Sequence, residues 1–439
     1  LKKNKKFLLA LLFLPLPGHA FSNRPAHDFT AVGRPLPAAP ADPAIARALH
    51  QISSAEIKQT IVTLVGFKNR STLGPGAIAA SAWIEAQFQQ DSKACGGCLE
   101  VKRDTFTEKP QDRIPQPTVI SNVYAILRGK DPAQNKRMFL VTGHYDSRNS
   151  TNENTTDPAP GANDDASGVA VSLACARVLS KMQFPATLVF VAVAGEEQGL
   201  NGSRHLAQFA RSQGWQLEGV LNNDIVGGDT TPGDQFADKS LVRVFSEQGI
   251  DNDSSSRQLA RSVVAAARTY LGAFRPVLEF RQDRFGRGGD HRSFNLEGFA
   301  AVRMTEWREN YNHQHQDVRV ENGVQFGDLP QYVDFAYTAN VARLNAATLA
   351  TLASAPAAPT DVKMSIASQD NSSALSWSGD AGEYQVVWRE TSAPDWQYYL
   401  PAQGNAIKLP VSHDNVIFGV RAVDQAGHTS LAVTPVAAR

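Results

Sequence analysis

Cysteine is scarce in this chain, with three among 439 residues. That excludes a small disulfide-stapled scaffold, so stability has to come from buried apolar surface. Cys95 and Cys98 form a Cys-Gly-Gly-Cys run, while Cys175 sits in an apolar helical stretch. A zinc knuckle would need two further ligands close by, and none flanks the pair. A redox pair would open a helix after a strand, whereas this one follows the helical run AIAASAWIEAQFQ. A small disulfide loop and an inert Cys175 are expected. Net charge is also lacking, since 43 basic side chains balance 43 acidic ones. No electrostatic case exists for nucleic acid or an anionic membrane surface.

Long apolar runs are missing too. Lys2, Lys3, Lys5 and Lys6 precede FLLALLFLPLP and then Gly18-His19-Ala20, the layout of a secretory signal peptide over 1–20. Its apolar run is too short to span a bilayer, and no later one is longer. Export is expected, placing the protein outside the cell or in a periplasm. Residues 21–42 are rich in Pro and Ala and read as a flexible leader.

What is present is a long alternation of strand and helix patterns from 43 to 353. A helical pattern runs from Pro43 through Leu64, and a second from Gly76 to Gln90. Strands are expected at Met138–Thr142, Thr187–Ala194, Gly219–Asn223, Leu241–Phe245 and Pro276–Phe280, and in FAAVRM. Helices are expected at Ala166–Leu179, Gly202–Ser212, Arg257–Tyr270 and Gln331–Leu352. This predicts an α/β domain, a mostly parallel mixed sheet between two helical layers. SAPAAPT at 354–360 is a linker. Residues 361–439 change to short alternating runs and read as a small all-β sandwich. The pattern of Trp377, Tyr384 and Trp388, then Val420–Asp424 and Ala426-Gly427, resembles a fibronectin type III module. Such a module binds surfaces or substrate material, or spaces domains, rather than catalysing.

Chemistry gathers at strand ends. MFLVTGHYDS, GANDDASG, ATLVFVAVAGEEQGLNGS and VLNND each turn from an apolar or small-residue run to acids or His. In open α/β sheets the ligand site lies beyond the carboxyl ends of the strands. His144, Asp146, Asp164, Glu196, Glu197 and Asp224 therefore converge on one crevice. Such a set would be costly without a cation, so a metal centre is expected. Oxygen-rich donors with few imidazoles and no thiolate fit zinc, manganese or cobalt. Spacing does not choose between Asp164 and Asp165, nor between His291 and the His313–Asp317 cluster for a further ligand.

The succession GHYDS, PGANDDASG, EEQGLNGS, NNDI, GGDHRSFNLEG and ENYNHQHQD resembles peptidase family M28, especially its secreted bacterial members. The resemblance implies two zinc ions per chain, held by His144, Asp164, Glu197, Asp224 and His313, with Asp164 bridging. It implies Glu196 as general base and Asp146 as the acid supporting His144. His313 fits the closing-ligand motif through Asp317, four residues on, and His291 falls on a non-ligand position. The implied activity is an aminopeptidase acting on peptides with a free N-terminus. A related carboxypeptidase or dipeptidase, a one-zinc glutaminyl cyclase and a non-enzymatic binding protein are the alternatives. Three departures stand out: His315 is an extra imidazole, Phe285–Gly289 lacks the Tyr with which relatives support the tetrahedral intermediate and leaves Arg287 as the nearest oxyanion donor by charge, and the Cys pair of some relatives near that motif is absent.

Overall fold

The computed structural model describes residues 28–249, 253–367 and 370–439. The expected signal peptide at 1–20 lies outside these. A mixed eight-stranded sheet organises the larger unit. Its strands run in the order Leu99–Glu108, Thr118–Leu127, Thr187–Val193, Arg137–His144, Gln216–Asn223, Ala301–Glu306, Leu241–Ser246 and Arg275–Glu279. The four central strands, from Thr187–Val193 to Ala301–Glu306, are mutually parallel. Pairing is antiparallel toward Thr118–Leu127 on one side and Leu241–Ser246 on the other.

Both faces of this sheet are covered, which explains why its central strands read as unbroken apolar runs. Every residue of Arg137–His144 and Thr187–Val193 is buried. Side chains alternate between two cores: Phe139 and Val141 face one, Met138 and Leu140 the other. The first core is packed by helices Ser54–Val65, Ala166–Leu179, Ser255–Tyr270 and Phe335–Ser354. The second is packed by Asn201–Ser212 and the short helix His291–Leu296.

Boundaries shift where caps decide them. The pattern from Pro43 divides into Pro43–Leu49 and Ser54–Val65, because the Ser53 hydroxyl accepts from Ala55 N and starts the second helix. The last helix begins at Phe335 rather than Gln331, with the Asp334 carboxylate accepting from Ala336 N and Tyr337 N. Helix His291–Leu296, six residues long, had no periodic signature. Cys95 and Cys98 are joined as expected, and Cys175 is buried and free.

The C-terminal region forms two four-stranded sheets. One contains Tyr398–Ala402, Glu383–Glu390 and Val416–Val423, and the other Ala406–Leu409, Ser373–Ser378, Thr360–Ser365 and Val436–Ala438. Trp377, Tyr384, Trp388 and Phe418 are buried between them. The stretch expected to be a flexible leader is, from residue 28 on, part of this structure. Phe29 joins the same core, and its carbonyl accepts from Trp388 Nε1 at 3.2 Å. Arg34–Pro35 adds an antiparallel edge to Tyr398–Ala402. Asp253 ties the two units together, holding Arg261 at 3.0 Å and Arg389 at 3.2 Å.

Candidate metal centre

Three parallel strands end side by side at the site. Arg137–His144 delivers His144 as its last residue, Thr187–Val193 runs on to Glu196 and Glu197, and Gln216–Asn223 runs on to Asp224. Helix Ala166–Leu179 presses its first turn onto them. A Cβ on Gly143 would strike the Gly168 backbone, and one on Gly168 would strike Asn223 O, so two glycines permit the approach. That contact carries the Asp164-Asp165 pair to the strand ends.

The two aspartates divide their work. Asp165 caps the helix, accepting from Gly168 N at 2.9 Å and from His144 N at 3.0 Å. Asp164 turns to the cluster, its backbone N donating to Asp328 at 2.7 Å. Asn163 N donates to the other Asp328 oxygen at 2.8 Å. Burial pushes the Asp328 carboxyl up to about 7. Sequence reasoning missed Asp328, which carries no motif and stands 164 residues away.

Asp164 is shared by two groups whose potential ligand atoms lie within 4.8 Å of one another: His144 with Asp224, and Glu197 with His315. His144 Nε2 is 3.1 Å from one Asp164 oxygen and 3.9 Å from Asp224 Oδ1. His315 Nε2 is 3.0 Å from the other Asp164 oxygen and 3.0 Å from Glu197 Oε1. The His144 ring is oriented from behind, with Nδ1 3.1 Å from the Asp146 carbonyl. The Asp146 carboxylate itself accepts from Glu196 N at 3.3 Å and Glu197 N at 3.1 Å, which fixes the acidic turn. Burial lowers His144, but Asp146 and Asp164 outweigh it and hold the ring well above the usual imidazole range.

His313 is not in the cluster. Its Nδ1 meets the Asp229 carboxylate and its ring stacks on Tyr332 at 3.8 Å. His315, which the family resemblance left as an extra imidazole, stands at the position expected of His313. The backbone supplies the reason: His315 has φ +53°, and this left-handed residue redirects the chain after the turn in which His313 N and Gln314 N both donate to Asn310 O. Asp317 accepts from Ser150 Oγ at 2.9 Å rather than from either imidazole. His291 is also outside, bonded through Nε2 to Gln282 O at 2.8 Å and pushed down to about 4 by burial.

Glu196 is half-buried and belongs to neither group. Desolvation raises its carboxyl well above the usual range, helped by Asp224, Glu197 and Asp290 against His144. Such a carboxylate takes up a proton more readily than an exposed one. Two arginines flank the cluster. Arg148 Nε is 2.8 Å from Glu197 Oε2, and the fully buried Arg303 places Nη2 2.8 Å from Asp224 Oδ1.

These residues fit a metal pair. His144 Nε2 is buried and aligned for a hydrogen bond with neither neighbouring carboxylate. A shared carboxylate flanked on each side by one imidazole and one further carboxylate is a donor set for hydrolytic divalent ions.

The model of peptidase family M28 matches residues 122–322. A probable zinc metalloprotease of Pyrenophora tritici-repentis is 40% identical over 92% of this chain and 89% of its own. One from Pyricularia oryzae is 40% identical over 92% and 86%. Among solved structures, the Legionella pneumophila LapA aminopeptidase covers 71% of this chain and 74% of its own at TM-score 0.54 and 24% identity. A glutaminyl cyclase of Porphyromonas gingivalis covers 68% and 97% at TM-score 0.51 and 18% identity. At these identities the structural likenesses establish the fold, which aminopeptidases and a cyclase share. On the family match together with these relatives, the chain belongs to peptidase family M28.

Proposed function

We propose that this protein is an exported zinc aminopeptidase that uses two metal ions to remove N-terminal residues from peptides. One observation carries the reading: Asp164 is shared between a His144–Asp224 group and a Glu197–His315 group. Zinc bound by these residues supplies Lewis acidity and lowers the pKa of water. Asp146 orients His144 and braces the Glu196–Glu197 turn. Glu196, raised by desolvation, takes a proton from the attacking water and returns it to the leaving amine.

Relatives named as zinc metalloproteases and a fold neighbour named as an aminopeptidase support the assignment. A carboxypeptidase or dipeptidase on the same centre is the second reading, because the metal set decides hydrolysis while the surrounding wall decides which terminus fits. Export rests on the Lys-rich, apolar start of the chain. The C-terminal sheets, read as a fibronectin type III-like module, act as a spacer or surface-binding unit.

The test is a panel of free, N-acetylated and C-amidated peptides, with zinc or with chelator. Hydrolysis of free and C-amidated peptides, blocked by N-acetylation and abolished by chelator, is expected. Cleavage of N-acetylated but not C-amidated peptides would replace the reading with a carboxypeptidase. Chelator-insensitive turnover would remove the metal mechanism.

A further inference from the structure

Beside the cluster, arginines outnumber the carboxylates they pair with. Glu309 accepts from Arg243 at 2.8 Å, Arg284 at 2.7 Å and Arg287 at 2.6 Å. Burial would raise the Glu309 carboxyl, but the arginines around it hold it at about 2. Asp283 pairs with Arg284 at 3.0 Å and faces Arg303 at 3.5 Å. With Asp224 at 2.8 Å from Arg303, four guanidiniums thus share three carboxylates. Their side-chain exposures are 18% for Arg243, 8% for Arg284, 28% for Arg287 and 0% for Arg303, so the most accessible of the four is Arg287.

Its position is set from both sides. A Cβ on Gly289, two residues on, would lie 3.2 Å from Asp224 Oδ2, so this loop abuts the His144–Asp224 group. Arg287 Nη1 also reaches Gln314 Oε1 at 3.3 Å, next to His315 of the other group. The guanidinium lies 5.8 Å from the centroid of the exposed Tyr311 ring, which steadies it. Nη1 carries the bonds to Glu309 and Gln314. Nη2 and Nε make no hydrogen bond among the described residues and are left to donate.

We propose that Arg287 reads a carboxylate on the substrate close to the scissile amide, so that the enzyme prefers short or acidic peptides. This rests on the peptidase reading above. A planar guanidinium with two unused donors matches a carboxylate and leaves a neutral amide poorly served. Two sources share that chemistry: the α-carboxylate of a dipeptide, and an acidic side chain on the residue after the cut.

The experiment compares Leu-Ala, Leu-Ala-amide and Leu-Asp-amide with the zinc-supplied full chain and its R287Q and R287K variants. A charge-assisted hydrogen bond of ordinary strength predicts KM roughly ten- to hundredfold lower for the carboxylate-bearing peptides. R287Q is expected to erase that difference and R287K to restore part of it, with both variants melting like the parent. Sensitivity of Leu-Ala alone identifies the α-carboxylate, and of Leu-Asp-amide alone the side chain. Equal KM across the three peptides in the parent, or equal losses across them in R287Q, overturns the proposal. If the parent hydrolyses none, the peptidase reading fails instead. Calorimetric binding of the same three peptides then decides Arg287: tighter binding of the carboxylates, lost in R287Q, sustains it, and equal or absent binding overturns it.

Discussion

His315 Nε2 lies 3.0 Å from one oxygen of Asp164, whose other oxygen lies 3.1 Å from His144. Replacing His315 by Ala is expected to lower the zinc-to-protein ratio by one ion. H313A is expected to keep the full ratio, because His313 is engaged with Asp229 and Tyr332 instead. Elemental analysis after dialysis reads both. The reverse result would return the ligand role to His313.

Glu196→Gln is expected to bind zinc normally while kcat/KM falls by about two to four orders of magnitude, the usual contribution of a general base. Metal content and turnover are measured on one preparation. Near-normal turnover in a fully loaded variant would eliminate Glu196 as the base.

Arg303 is completely buried between Asp224 and Asp283. Its guanidinium offsets two carboxylates that are themselves almost fully buried. Removing one partner of a buried ion pair costs about 3–5 kcal/mol, because the other charge is stranded. R303Q should therefore lose stability on that scale in denaturant unfolding of the metal-free protein. A loss under about 1 kcal/mol would mean that the aspartates are neutral or find other partners.

Asp91 supplies a pH test away from the site. Desolvation raises its carboxyl from 3.8 to about 6, against Arg177 and Lys181. The folded state then keeps a proton that the unfolded chain has released, so stability falls as pH rises from about 4 through 6. Asp91→Asn should melt higher than the parent at pH 7.5 and level with it near pH 4. An unchanged difference between the two pH values would show that Asp91 titrates normally.

Much of this architecture was legible locally. Strands buried on both faces, such as Thr187–Val193, can only be apolar throughout, and acids directly after such a run have little reason to be there except a site. His144, the Glu196–Glu197 pair and Asp224 could be placed at strand ends that way, whereas the choice of Asp164 over Asp165 came only with the family resemblance; the Cys95–Cys98 loop followed from its spacing. The all-β texture of the C-terminal region was equally plain from its alternation. The Pro-rich segment before Pro43 was not, because the value of Phe29 lies in a core supplied by residues more than three hundred positions later.

The alternation of residue types along the chain by itself determined the layers, the strand ends and the acidic character of the site. Tertiary structure alone decided which imidazole reaches Asp164, that Asp328 holds its backbone, and that Arg303 lies behind Asp224. The physical reason is the range of the interactions. Burial periodicity is imposed on neighbours two to four residues apart, whereas the choice of His315 over His313 hangs on one left-handed backbone residue and on partners far away in sequence.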